Sequence, residues 1–311
     1  MKTVLFYCPQ MEALAKKIVV ARPDEIELGS ITWDRFKDGF PNIFVEDVQH
    51  AAKRRGIAFL ASFDTPGDIF EQYAALHALP DYLEQSLQIL LPYFPTGTME
   101  RVDELGQVAT ASTLASLLSS IPPSSGGPPE LVIYDIHALG ERHYFDRRYV
   151  KPRLESGIPL LKEQLAALEG FGTERPMIAF PDDGAWKRFH RKFPGYHDIV
   201  CQKVRDGDKR IVTVKEGNPA GRHVVIIDDL VQTGGTLHEC RNTLVAAGAV
   251  AVSAYATHGV FPEESWRTFT DGSFANIWIT DSCPKTAASV SGIAPFRVLS
   301  LAGSLAEVIT D

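Results

Sequence analysis

Three things are scarce in this sequence of 311 residues, and each scarcity closes off a class of protein. There are four cysteines, Cys8, Cys201, Cys240 and Cys283, far apart and with no C-x-x-C pair, which argues against both a zinc knuckle and a disulfide framework. No apolar run approaches the ~20 residues of a membrane-spanning helix, and the opening MKTVLFYC lacks the basic, apolar and small-residue succession of a secretory signal. Positive charge is in deficit. With 31 Lys+Arg against 39 Asp+Glu the formal net charge is −8, so the molecule's field does not draw in polyanions, and neither nucleic acid nor an anionic membrane is an expected partner. What remains, 45% hydrophobic and 23% charged residues, is an ordinary globular composition. The length suits two domains, and four reduced thiols suit a cytoplasmic setting.

Short apolar runs alternate with helix-period segments from end to end. TVLFYC (3–8), IAFLASF (57–63), LQILLPYF (87–94) and LVIYDIH (131–137) read as buried strands in the first half, and MIAFPDD (177–183), HVVIIDD (223–229), VAVSAYATH (250–258), IWITD (277–281) and RVLSLA (297–302) in the second. Segments 66–79, 108–120, 157–169 and 235–247 suit helices; in the last, Leu237, Cys240, Leu244 and Ala247 share one face. Such alternation predicts an α/β fold with mainly parallel sheets covered on both faces. SSIPPSSGGPPE (119–130) runs straight into a strand and reads as a surface loop, so the domain boundary is expected near DRRYVKPRLES (146–156), giving domains 1–150 and 151–311. SFDTPGDIFEQ (62–72) and DDLVQTGGTLHEC (228–240) share a strand, a Thr-x-Gly turn and a helix, a hint of duplication, although the first copy lacks the paired acids and the Gly-Gly.

The strongest chemical signal is VVIIDDLVQTGGTL (224–237). A buried strand delivers Asp228 and Asp229 near its carboxyl end, and a turn of Thr233, Gly234, Gly235 and Thr236 opens a helix. Glycines let several backbone N–H groups converge, and the helix N-terminus adds positive potential, which together suit a phosphate. Adjacent carboxylates suit neighbouring sugar hydroxyls, each of which donates a hydrogen bond. The plainer alternative is an Asp-rich turn with a Thr cap. CQKVRDGDKRIVTVKEG (201–217), with Lys203, Arg205, Lys209, Arg210 and Lys215, reads by default as a solvated charged loop, and Lys187, Arg188, Arg191 and Lys192 as a solvated helix face. His137, taken alone, reads as a core histidine.

The run 224–237 resembles the ribose-5-phosphate-binding motif shared by type I phosphoribosyltransferases and phosphoribosyl diphosphate (PRPP) synthetases. The other motifs favour the synthetases: DIH (135–137), FPDDGAWKR (180–188), ATHGVF (256–261) and ITDSCP (279–284) match theirs in order. GFPN, PTGTMER, DIHALGERHYF, KVRDGDKRIV and DSCP are similar to the plant-type class II members, and the likeness extends over most of the chain. The resemblance implies two phosphoribosyltransferase-like domains, a homo-oligomer, and transfer of the β,γ-diphosphoryl group of ATP to ribose 5-phosphate with Mg²⁺ as cofactor. It further implies His137 and Asp182 as metal ligands, Lys203 and Arg205 as the basic pair over the phosphates, and Asp228, Asp229 and 233–236 as the ribose-5-phosphate site. Phe36, Asp38, Arg101, Asp182 and Arg188 then fall to the nucleotide. The nucleotide loops depart from the bacterial pattern: Phe40 stands in place of Glu, and 95–101 keeps only Arg101; in the ribose-phosphate loop Gln232 stands in place of Asp. Class II members are known for phosphate independence and for several nucleoside triphosphate donors, which fits fewer directed hydrogen bonds to the base. A non-catalytic associated regulatory subunit and a PRPP-consuming phosphoribosyltransferase are the rival readings.

Overall fold

The computed structural model of the protein describes residues 2–46, 48, 56–169, 175–206 and 209–311; at 169, 203–206 and 209–211 it describes the backbone. The chain divides into two compact units, one of residues 1–155 with 301–311 and one of 156–300.

The first unit is built on a six-stranded sheet in which β1 (Thr3–Tyr7), β2 (Ile26–Leu28), β5 (Gly56–Leu60), β6 (Leu87–Leu90), β7 (Glu130–Tyr134) and β8 (Lys151–Glu155) lie in the order β2-β1-β5-β6-β7-β8, every pair parallel. The inner strands β1, β5 and β7 carry buried apolar residues on both faces, as a sheet covered twice requires. Phe59, Ile89, Leu131 and Ile133 meet Leu76 of α2 (Pro66–Ala78) and Leu114 and Leu118 of α3 (Thr110–Leu118). Thr65 caps α2, its Oγ1 accepting from the Asp68 N–H at 3.2 Å. Before α2 runs α1 (Glu12–Ala21), and between β2 and β5 stands a hairpin of β3 (Ile31–Arg35) and β4 (Pro41–Val45). One hairpin face, Ile31, Trp33, Ile43 and Val45, packs on the core; the other carries Phe36, Phe40 and Phe44, all more than half exposed.

In the second unit seven strands, β9 (Met177–Phe180), β10 (Asp198–Asp206), β11 (Lys209–Glu216), β12 (His223–Val231), β13 (Ala251–Gly259), β14 (Ile277–Thr280) and β15 (Phe296–Leu299), lie in the order β11-β10-β9-β12-β13-β14-β15, parallel except for the β10–β11 pair. Ile178, Phe180, Val225 and Ile227 face α4 (Ile158–Glu169) and α5 (Asp183–Phe189) through Leu161, Leu165 and Phe189. Met177, Ala179, Val224 and Ile226 face the opposite way, toward Leu237, Cys240 and Leu244 of α6 (Gly235–Ala246). The helix α7 (Pro284–Val290) follows β14. The order β10-β9-β12-β13-β14-β15 repeats β2-β1-β5-β6-β7-β8 strand for strand, which gives the duplication hinted at by 62–72 and 228–240 a structural basis.

Three expectations are corrected. Lys151–Glu155, assigned to the second domain from the sequence, forms β8 beside β7 and belongs to the first unit. The C-terminal helix α8 (Ala302–Thr310) also returns to the first unit, where it packs on α1. It is tied there by Gln88 Nε2 donating to the Val308 carbonyl at 3.1 Å, Tyr134 Oη and Ser304 Oγ at 2.7 Å, and Arg153 Nη2 against Asp311 Oδ2 at 3.1 Å. Within 201–217, read as a charged loop, residues 201–206 and 209–216 pair antiparallel as an arm formed by the ends of β10 and β11, because Val204, Ile211, Val212 and Val214 supply the β-branched residues a ladder favours.

Leu305, Val308 and Ile309 of α8 are at most 8% exposed, a burial of about 5–9 kcal/mol at 1.5–3 kcal/mol per side chain, comparable with the whole net stability of a domain, about 5–15 kcal/mol. Deleting residues 301–311 is therefore expected to strip hydrogen-exchange protection from the amides of β6 and β7 while those of β12 and β13 keep theirs, a contrast that exchange mass spectrometry reads directly.

Candidate functional site

In an open parallel sheet, the loops at the strand carboxyl ends part where neighbouring strands send their connections in opposite directions, and the crevice left there is the natural ligand site. In the second unit this point lies between β9 and β12: β9 leads through α5 to β10 on one side, β12 through α6 to β13 on the other. β9 stops pairing with β12 at Ile226, whereas β12 continues beside β13 as far as Val231. The last turns of β12 therefore stand along the crevice on one edge.

Most of the second-unit candidates from the sequence gather here. Asp182 ends the β9 loop and caps α5, its Oδ1 accepting from the Ala185 N–H at 2.9 Å, so one carboxylate oxygen is committed to the cap. Arg188, on α5, is not on a solvated face: its side chain is 11% exposed and its Nη1 lies 3.5 Å from Oδ2 of the equally enclosed Asp229. The sequence placed Arg188 with the nucleotide; nothing local in it signalled this ion pair. Asp228 Oδ1 accepts from the Asp229 N–H at 2.9 Å. Thr233 and Gly235 are exposed, and Gly234, in the left-handed region at φ 87°, is the N-cap of α6. A Cβ at Gly234 would meet the Phe269 ring at 2.3 Å, so both the dihedral and the close approach demand glycine.

Lys203 and Arg205 lie on β10, opposite Val212 and Arg210 of β11; their side chains fall outside the described residues. Lys215, on β11, donates to both carboxylate oxygens of Asp183 at 2.9 and 3.2 Å, fastening the arm to the first turn of α5, a link the sequence did not reveal.

The first-unit candidates stand on three separate segments. Phe36 and Asp38 occupy the β3–β4 turn, where Asp38 Oδ1 accepts from the Phe40 N–H at 3.2 Å. Arg101 is 75% exposed, near Glu100 and Asp103 at 3.6 and 3.5 Å. His137 follows β7, half-buried, against Gly97, where an added Cβ would come 3.1 Å from its own. The carboxylate of Glu141, 1% exposed, borders the same glycine at 3.5 Å and accepts from the Ala138 N–H at 2.7 Å. Among the described residues, no group of three or more His, Cys, Asp or Glu side chains is arranged to hold a metal ion.

Burial raises the Asp228 carboxyl well above the ordinary carboxylate range, and the charges of Asp229 and then Asp182 add to it. A carboxyl that keeps its proton more tightly when folded costs stability as pH rises from its ordinary range through the raised value. Asp228→Asn keeps an oxygen to accept the Asp229 N–H and removes the charge. It is expected to raise Tm by about 2–4 °C at neutral pH, with the gain vanishing below pH ~4, as calorimetric scans across that range would read.

Residues 188–283 match the family model described as the phosphoribosyl transferase domain. The chain is 54% identical over 99% of its length to ribose-phosphate pyrophosphokinase 4 of Arabidopsis thaliana, covering 92% of that protein. It is 55% identical over 98% of its length to ribose-phosphate pyrophosphokinase 4 of Oryza sativa subsp. japonica, covering 94% of it, and 53% identical over 99% to ribose-phosphate pyrophosphokinase 3, mitochondrial, of Spinacia oleracea, covering 76%. Among solved structures, a phosphoribosylpyrophosphate synthetase from Mycobacterium smegmatis shares the fold, with a TM-score of 0.81 over 99% of this chain and 98% of that one at 22% identity. With more than half of its residues identical along almost its entire length, the chain belongs to the ribose-phosphate pyrophosphokinase family.

Proposed function

We propose that the protein is a ribose-phosphate diphosphokinase that transfers the β,γ-diphosphoryl group of ATP to O1 of ribose 5-phosphate, giving PRPP and AMP. The observation that carries this reading is the full-length likeness to plant ribose-phosphate pyrophosphokinases. The crevice supports it. The N–H groups of the 233–236 turn and the start of α6 receive the sugar phosphate. Asp228 and Asp229 accept hydrogen bonds from the ribose hydroxyls. Arg188, while holding Asp229 in place, stands beside the incoming diphosphoryl group, and Phe36, Asp38 and Arg101 belong to the nucleotide.

His137 and Asp182 would hold Mg²⁺, which, when bound, neutralises charge on the transferred group. Asp182, with one oxygen already in a cap, has little left to give, and that suits an ion which keeps waters and takes substrate phosphates as ligands. O1 attacks the β-phosphorus in line while Lys203 and Arg205, carried by β10, stabilise the charge that builds there. Positioning and electrostatics supply the rate. A homo-oligomer in the cytoplasm completes the reading. The free state of all four cysteines supports a reducing compartment, and among the described residues no helix is long and apolar enough to cross a membrane.

Incubation with ribose 5-phosphate, ATP and Mg²⁺ is expected to yield AMP and PRPP one for one and no ADP. Absence of both products under every nucleotide tried, with and without phosphate, would leave a non-catalytic subunit. Lys203→Ala is expected to lower turnover by about 100-fold or more while ribose 5-phosphate still binds, and near-normal turnover would remove Lys203 from the mechanism. GTP or CTP is expected to replace ATP, because Phe40 and 95–100 supply few directed contacts to a base; strict ATP use in a donor screen would contradict this.

A further inference from the structure

The sugar-phosphate turn does not hold its own shape. At Val231, Gln232, Gly234 and His238 it meets residues far downstream, Val260, Phe261 and the 3₁₀ turn Pro262–Phe269 that follows β13. The Val231 carbonyl accepts from the N–H groups of Val260 and Phe261 at 3.0 and 3.4 Å. Next, Ser265 Oγ donates to the Gln232 carbonyl at 3.2 Å. Then the buried Phe269 ring lies directly against Gly234, its Cζ and Cε2 occupying the space of the missing Cβ. Finally the same ring stacks on His238, one turn into α6, at 4.2 Å and 25°.

His238 is held from a second direction. Thr268 Oγ1 spends its only hydrogen on the Ser265 carbonyl at 2.9 Å, so at 3.2 Å from His238 Nε2 it can only accept, and Nε2 carries the proton. The backbone needed to bring the segment there is costly. Phe261, Glu263 and Glu264 all have left-handed dihedrals, at φ 44°, 54° and 58°, a conformation non-glycine residues keep only where their surroundings impose it.

We propose that Phe269, with Ser265, Thr268 and His238 around it, is a positioning residue for ribose 5-phosphate: its ring fixes the left-handed Gly234 and with it the direction of the N–H groups at the start of α6. This rests on the reading of 233–236 as the sugar-phosphate site. An anion-binding turn built of Thr and Gly has many conformations open to it, and ordering it on binding would subtract from affinity. A flat ring beneath the glycine does that ordering in advance.

The test is equilibrium binding of ribose 5-phosphate by titration calorimetry, together with KM for both substrates, for the unsubstituted enzyme, Phe269→Leu and Ser265→Ala. Leucine fills much of the pocket but lacks the Cζ and Cε2 that meet Gly234. Phe269→Leu is expected to weaken ribose 5-phosphate binding about tenfold with KM for ATP within twofold, and Ser265→Ala to shift the same quantity by a smaller factor. Gly234→Ala is expected to cost less affinity in the Phe269→Leu background than alone, because the clash partner is gone and only the dihedral penalty remains. Unchanged ribose 5-phosphate affinity in Phe269→Leu, or an equal rise in both KM values, would overturn the proposal while leaving the functional reading intact. Should Phe269→Leu not fold, Ser265→Ala decides by the same two criteria. No binding of ribose 5-phosphate by the unsubstituted enzyme would overturn the functional reading and this inference with it.

Discussion

The structure depends above all on where its parallel strands part company. A parallel strand must be reached by a crossover, and a right-handed crossover can leave toward either neighbour. When β9 sends its chain one way and β12 the other, the two carboxyl ends between them cannot be covered by their own connections. Most of the second-unit candidates collect in that opening: Asp182 after β9, Asp228 and Asp229 near the end of β12, Arg188 reaching across from α5. The first unit repeats the topology, with the corresponding point between β1 and β5. There the strand ends carry contacts within the unit: Gln10 Nε2 donates to Asp68 Oδ1 at 2.7 Å and Ser62 Oγ to Asp64 Oδ1 at 2.6 Å, and burial pushes the Cys8 thiol up to about 12. One topology thus carries paired acids and a Gly-Gly turn in one copy and neither in the other.

That crevice is kept at the expense of stability. Asp228 and Asp229 put two carboxylates side by side where desolvation penalises charge, with Arg188 as the partner of one of them. Buried pairs of this kind return little stability and become costly when one member is lost. The strained Phe261, Glu263 and Glu264 belong to the same account, since backbone strain persists where a site requires it.

How much of this was legible in the sequence follows from the range over which each determinant acts. β12 and α6 were readable because strand, turn and cap are contiguous, and four apolar residues, two acids and a Gly-Gly can have few other meanings. The β10–β11 arm was not, because its lysines and arginines masked the β-branched residues beneath them, and charge content outweighed alternation in the reading. Whether Arg188 faces water or Asp229 depends on which side of α5 the sheet lies. A helical period of seven residues cannot say that. Phe269 was invisible for a different reason: its partner Gly234 sits on another element, and nothing in a Trp-Arg-Thr-Phe run announces a ring under a glycine turn. Helix α8 was not legible either: the sequence reading ends on the strand RVLSLA (297–302), and the sheet that α8 helps to cover lies far back in the chain.

The placement of that last helix reaches into how the molecule comes to exist. β8 is followed by α4, which goes to the second unit, and β15 is followed by α8, which goes back to the first. The first unit is thus interrupted by the second, and its sheet lacks one of its covering helices until residues 301–311, made after the whole of the second unit, have left the ribosome. During synthesis the second unit has all of its own strands and helices in hand before the first does. Vectorial synthesis, which ordinarily lets the earlier of two domains fold first, here leaves the earlier one waiting for a helix made after the later.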